Sequence, residues 1–158
     1  MDPRSLPELL ADLATMPAFL EATARRFNDD QARRPGPDGG FSLVEQIWHL
    51  ADLEREGYGE RIRRLRRGEG RGLPDFNGDQ LARERRYQTR EVTPGLAAFV
   101  AARRTNLAVL HALASAEWAL AGTQEHVGPI TLADLPRMMA AHDASHRAEI
   151  RALDALRE

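Results

Sequence analysis

Apolar side chains recur at intervals of three and four along most of this chain, and these intervals mark out four long helical stretches. Leu6, Leu9, Leu10, Leu13, Leu20 and Phe27 form the first stripe. Pro17 falls inside it and predicts a kink or a short break, because proline cannot donate to the preceding turn. Arg34-Pro35-Gly36-Pro37-Asp38-Gly39-Gly40 is a loop. A second helix opens at Ser42-Leu43-Val44-Glu45, where Ser42 can cap it and Glu45 can reach back. It is expected to run to Arg67 and to stop at Gly68, with Val44, Ile47, Ala51, Tyr58, Ile62 and Leu65 on its apolar face. Residues 75–90 read as a short polar helix. The third long helix starts at Thr93-Pro94 and carries Leu96, Phe99, Val100, Leu107, Leu110 and Ala114. Residues 122–129 read as irregular. Thr131-Leu132-Ala133-Asp134 then caps a fourth helix with Leu135, Met139, Ile150 and Leu153 as its stripe. No stretch shows sustained period-two alternation with β-branched residues. The pattern predicts an all-α four-helix bundle, with a short extra helix between the second and third long ones. The length fits one domain over residues 1–158.

Composition narrows the chemistry more than the fold. All 22 basic residues are arginine, against 24 acidic ones, for a net charge of −2. That near-balance argues against a surface built as a whole to hold nucleic acid. The run Arg61-Ile62-Arg63-Arg64-Leu65-Arg66-Arg67-Gly68-Glu69-Gly70-Arg71 is the one basic patch. It has little aromatic interleaving and no DNA-reading motif, so a solvated helix end is expected. No apolar run approaches the roughly 18 residues that a membrane span needs. The opening segment MDPRSLPELLADLA lacks a basic region followed by an apolar block, so a cytoplasmic location is expected. The absence of cysteine excludes disulfides, a protein thiolate nucleophile, a zinc ribbon and an iron–sulfur cluster. The absence of lysine excludes Schiff-base chemistry and a Walker-type phosphate lysine.

Histidine is the scarcest reactive type left. His142 and His146 lie four apart on the fourth helix, one turn apart on one face. That face is expected to be the middle of the apolar stripe, where an unpartnered imidazole is costly. Two imidazoles at this spacing can clasp one metal ion, although the pair also occurs by chance. A catalytic metal usually takes a third protein ligand and keeps a position open for water. His49 is the best candidate, although its position on the helical wheel is nearly opposite its helix's main stripe. As a ligand it would imply a cleft at the bundle's edge.

Trp48-His49-Leu50-Ala51-Asp52 near the start of a capped helix, followed much later by His142-Asp143-Ala144-Ser145-His146-Arg147, resembles the DinB-like (YfiT-like) superfamily. Phe99 to Arg104, then Trp118, Gly122, His126 and Gly128 to Leu132, are similar to that family's run from third to fourth helix. The resemblance implies a four-helix bundle, often dimeric, with a divalent metal (zinc, nickel or iron, with copper equally suited to imidazoles) on His49, His142 and His146. It also implies a thiol S-transferase using bacillithiol or mycothiol, in which the metal activates a low-molecular-weight thiol toward an electrophile. A cysteine-free chain can do thiol chemistry if the thiol arrives with the cofactor. The alternatives are a non-catalytic metal-binding stress-response protein acting as a homodimer, or another metal-dependent hydrolase or isomerase of the same superfamily.

Three more residues are candidates for substrate contact or for supporting a ligand. Arg103 lies within the third helix's apolar stripe and could clamp a carboxylate, against a salt bridge to a neighbouring helix as the blander reading. His126 could line the mouth of the site or be plain loop surface. Glu56, two turns from His49, could orient an imidazole, or be an exposed carboxylate. Asp143 is expected to point off the histidine face.

Overall fold

The computed structural model describes residues 2–157. The first stripe forms two helices, α1 (Leu6–Leu13) and α2 (Met16–Ala24), with the break at Ala14-Thr15, just ahead of Pro17. Ser5 caps α1 in a capping box with Glu8. A short α3 (Asp29–Arg33), which the apolar pattern does not reveal, has its own box of Asn28 and Gln31. The second long helix begins as α4 (Leu43–Asp52), with the predicted Ser42–Glu45 box in place. It passes through a π-helical turn at Leu53–Tyr58 and continues as α5 (Gly59–Arg66). The expected short helix is α6 (Gly78–Glu84). The third and fourth long helices are α7 (Val92–His111) and α8 (Asp134–Ala155). Two differences follow. Residues 122–129 are not irregular but belong to an antiparallel hairpin, β1 (Ala121–Gln124) and β2 (Gly128–Thr131), so "all-α" holds only approximately. The cap of α8 runs the other way round, with Thr131 N–H donating to the Asp134 carboxylate at 2.8 Å.

The bundle pairs α4 with α7 and α1 with α8. Its apolar interior is two bodies, not one. Leu9, Leu13, Tyr58, Leu110 and Met139 belong to the first; Met16, Ile47, Phe99 and Ile150 belong to the second. A polar layer crosses the bundle between them. Arg103, 2% exposed, donates through Nη1 to Asp143 Oδ2 (2.8 Å) and through Nη2 to Asp143 Oδ1 and Glu54 Oε1 (both 2.9 Å). It also reaches the Leu13 carbonyl at 2.9 Å, at the break between α1 and α2. Asn106, one turn on, donates to the Glu54 backbone and carboxylate.

This layer decides between the two readings of Arg103 and corrects one expectation for Asp143. Arg103 makes the salt bridge to neighbouring elements and is not free for a substrate, because its fork is filled by two carboxylates. Asp143 does not point off the inward face. It is 3% exposed, and the buried residues of α8 include, along one line, Leu135, Met139, Asp143, His146, Ile150 and Leu153, with Pro136 and Ala140 beside them. Steps of four, four, three, four and three follow the helical repeat more closely than a stripe that leaves residue 143 out.

A second polar knot lies on the outer side of α4. Asp52, 1% exposed, accepts from Arg55, Arg85 and the Tyr87 hydroxyl. Burial pushes its pKa up, but these donors outweigh burial and hold it below the usual 3.8. A depressed folded-state pKa means stability that is present above pH 3.8 and lost as pH falls through the folded value. Asp52→Asn should therefore flatten the acid limb of a stability-against-pH curve measured by urea unfolding. Arg103→Ala leaves two buried carboxylates without their cation and should cost about 3–5 kcal/mol in the same assay at pH 7. A loss under about 1 kcal/mol would mean the layer is not under tension.

Candidate metal centre

His49 and His146 meet where α4 meets α8, with His142 one turn before His146 on α8; the ring nitrogens of the three do not all lie within 4.8 Å of one another. His146 stands in the middle, its ring centroid 4.9 Å from that of His49 and 6.0 Å from that of His142. His49 is buried at 8% exposure despite its position on the helical wheel. The reason lies outside its own helix. The 36–41 loop and the 76–78 segment fold over α4, so that Phe41 and Phe76 flank the imidazole at 5.6 and 5.8 Å. Gly78 opens α6 directly against it. A Cβ at residue 78 would lie 2.5 Å from His49 Cε1, so only glycine permits that approach. His142 is exposed at the edge of the cluster, next to the Tyr58 ring at 5.9 Å.

All three imidazoles are held neutral. Burial is the largest cause for each, and mutual repulsion adds to it for His49 and His142. His49 falls to about 3, and His142 and His146 are lowered in the same direction. Neutral imidazole is the form that binds metal.

One feature was missed by sequence reasoning. The Gln46 amide nitrogen donates to Glu149 Oε2 at 2.5 Å, which leaves Gln46 Oε1 to face His146 Nδ1 at 2.9 Å. The carboxylate can only accept, so the amide orientation is fixed and Nδ1 must carry the proton. The lone pair of His146 is then on Nε2. A relay of this kind sets tautomer and ring orientation in histidine metal sites. Its sequence signal was the spacing of His146 and Glu149, three residues apart on one helix; Gln46 had no signal short of knowing that α4 and α8 touch. His49 Nδ1, by contrast, is enclosed without any partner among the described residues. An orphaned buried nitrogen, neutral rings and a fixed tautomer all suit a set of imidazole donors for a divalent transition metal.

His49, His146, Gln46 and Glu149 open onto a cleft of about 970 Å³. Its far wall carries Asp75, Glu125 and His126, and no arginine lines it. His126 Nε2 is 3.5 Å from the carboxylates of both Asp75 and Glu125. Ligand atoms of these three residues all lie within 4.8 Å of one another, the one such group among the described residues. All three are exposed, and exposed acidic groups of this kind commonly hold no ion. Glu56 does not orient an imidazole. It is exposed and paired with Arg85 through both oxygens. The arginine run does not make one surface either. Arg63 pairs with Glu60 and Arg66 with Glu117, while Arg61 turns inward. Among the described residues, no helix is long and apolar enough to cross a membrane.

Comparison with known proteins adds to this picture. The family model described as the DinB superfamily matches residues 12–150. A Bacillus licheniformis protein named "Putative metal-dependent hydrolase" is 33% identical over 57 residues, 36% of this chain. That match spans 32% of the relative's own length. A solved structure, described as "YfiT from Bacillus subtilis is a probable metal-dependent hydrolase with an unusual four-helix bundle topology", superposes with a TM-score of 0.86. It covers 97% of this chain and 91% of its own at 21% identity, a likeness of fold.

Gln46→Leu frees His146 Nδ1 and strands the Glu149 carboxylate. Zinc affinity measured by competition with a chelating dye should fall about 10–100-fold. Unchanged affinity would show that the relay does not serve a metal.

Proposed function

Because the chain belongs to the DinB superfamily, we propose that it is a metal-dependent enzyme whose divalent ion is held by His49, His142 and His146. The observation that carries this reading is the Glu149–Gln46–His146 relay, which presents His146 Nε2 as a lone-pair donor among neutral imidazoles. Zinc, nickel and iron all suit such donors. A bound ion would act as a Lewis acid, lowering the pKa of a coordinated water or thiol. The protein's own residues do the rest. Phe41 and Phe76 flank His49 and keep water from that side. In this reading His126, which lines the opposite wall of the cleft, contacts the bound substrate.

Within this class we favour transfer to or from a low-molecular-weight thiol, with bacillithiol or mycothiol as the type of co-substrate and a small electrophile as acceptor. The cleft volume supports it, since about 970 Å³ is ample for a thiol of this kind together with an acceptor. The chain brings no thiol of its own, so the thiol must arrive from solution. Hydrolysis, named for both similar proteins above, needs only water at the same position.

Elemental analysis of untagged protein should find about one divalent metal per chain. His142→Ala should lose that metal while its helical circular dichroism persists. Full occupancy in a triple His49/His142/His146 alanine variant would overturn the assignment. On the loaded protein, thiol-dependent consumption of an aryl halide marks a transferase, and thiol-independent cleavage of esters or amides marks a hydrolase. Bound metal with neither activity would mark a non-catalytic metal-binding module.

A further inference from the structure

Arg61 stands apart from the rest of the arginine run. It is 6% exposed, and its Nε is enclosed without a partner. Among the described residues it makes no hydrogen bond and no ion pair. Buried arginine ordinarily has an anion beside it, as Arg103 has two in this same protein. What Arg61 has instead is an aromatic face: its guanidinium lies 5.2 Å from the centroid of the Tyr58 ring. The other neighbour of that ring is His142, edge-on at 5.9 Å. The Tyr58 hydroxyl is itself buried without a partner. Arg61, Tyr58 and His142 are therefore three neighbours in one row, with a cation that has no ion pair at one end and a histidine of the candidate centre at the other.

We propose that Arg61 is the anchor for a carboxylate carried by the molecule that binds beside His142. Its terminal nitrogens, unlike Nε, still meet the surface, so the part of the guanidinium able to form a two-pronged contact is the part within reach. The planar fork matches a carboxylate in geometry and in charge. Burial works against the cation and pulls the Arg61 pKa down. An anion at the guanidinium would relieve that cost.

The assignment rests on the metal-centre reading only for its location; the anion contact itself needs no metal. The test is a titration of metal-free and zinc-loaded protein with sodium acetate at fixed ionic strength, followed by NMR at the Arg61 Nε–H and the His142 ring. Both signals should move saturably with and without zinc. Arg61→Gln, which removes a buried charge and so should fold, ought to weaken the His142 response at least tenfold while zinc content stays at the wild-type value. Arg61→Lys, keeping charge but not the fork, should fall between. A response that never saturates, that survives in Arg61→Gln, or that inorganic phosphate saturates at lower concentration than acetate would overturn the proposal. Loss of zinc binding with acetate binding intact would contradict the metal centre and leave this anchor standing.

Discussion

The structure depends on one buried ionic layer, Arg103 held between Glu54 and Asp143. It is an expensive device, since three charged groups are taken out of water where well-packed apolar residues could sit. What it gives in return is orientation. Asp143 adjoins His142 in sequence and lies one turn before His146, so fixing its azimuth on α8 fixes theirs. Glu54 lies five residues beyond His49 on the same continuous helix. A single arginine on α7 thus clamps the two helices that bear the histidines. The Leu13 carbonyl joins the clamp from the break between the first two helices. The apolar bodies above and below would tolerate some rotation of α8; a bidentate pair with both oxygens engaged does not.

The same layer explains why the centre is both buried and open. Covering His49 takes the 36–41 loop and the start of α6, not a deeper position in the bundle, and the gap between those covers and α8 is the cleft. The cleft is one-sided in charge, with carboxylates and His126 on its far wall and no arginine. The unmatched cation, Arg61, lies instead on the His142 side. The tight but exposed Asp75, Glu125 and His126 group is a weaker claimant to a transition metal than the imidazoles. Its carboxylates are solvated, and no hydrogen-bonded relay fixes its histidine.

Much of this was legible in the residues. Caps and proline placed the long helices, and the four-residue spacing of His142 and His146, with His49 and the resemblance, pointed to the centre. What escaped has a common cause. Period-based reading treats each helix as having one wet face, and α4 with the turn after it has hardly any: Gln46, His49, Asp52 and, in the turn, Glu54 are all buried, because α3, α6, α7 and α8 pack around this segment. The π-helical turn adds a further local departure from the repeat that apolar spacing cannot show. Charged residues were assigned outward by default, which misplaced Asp143 and left Arg61 among solvated arginines. The hairpin went unseen because its strands are four residues each, one holding Gly122 and the other Gly128 and Pro129, too short and too broken to show alternation.

The most direct test of the account is where a metal goes. Crystals of the zinc-loaded protein, measured on both sides of the zinc absorption edge, would locate it by anomalous scattering. The account predicts one strong peak at the imidazoles of His49, His142 and His146, with His146 coordinating through Nε2 and Gln46 still on Nδ1. A peak at Asp75, Glu125 and His126, with the three imidazoles bare, would contradict it.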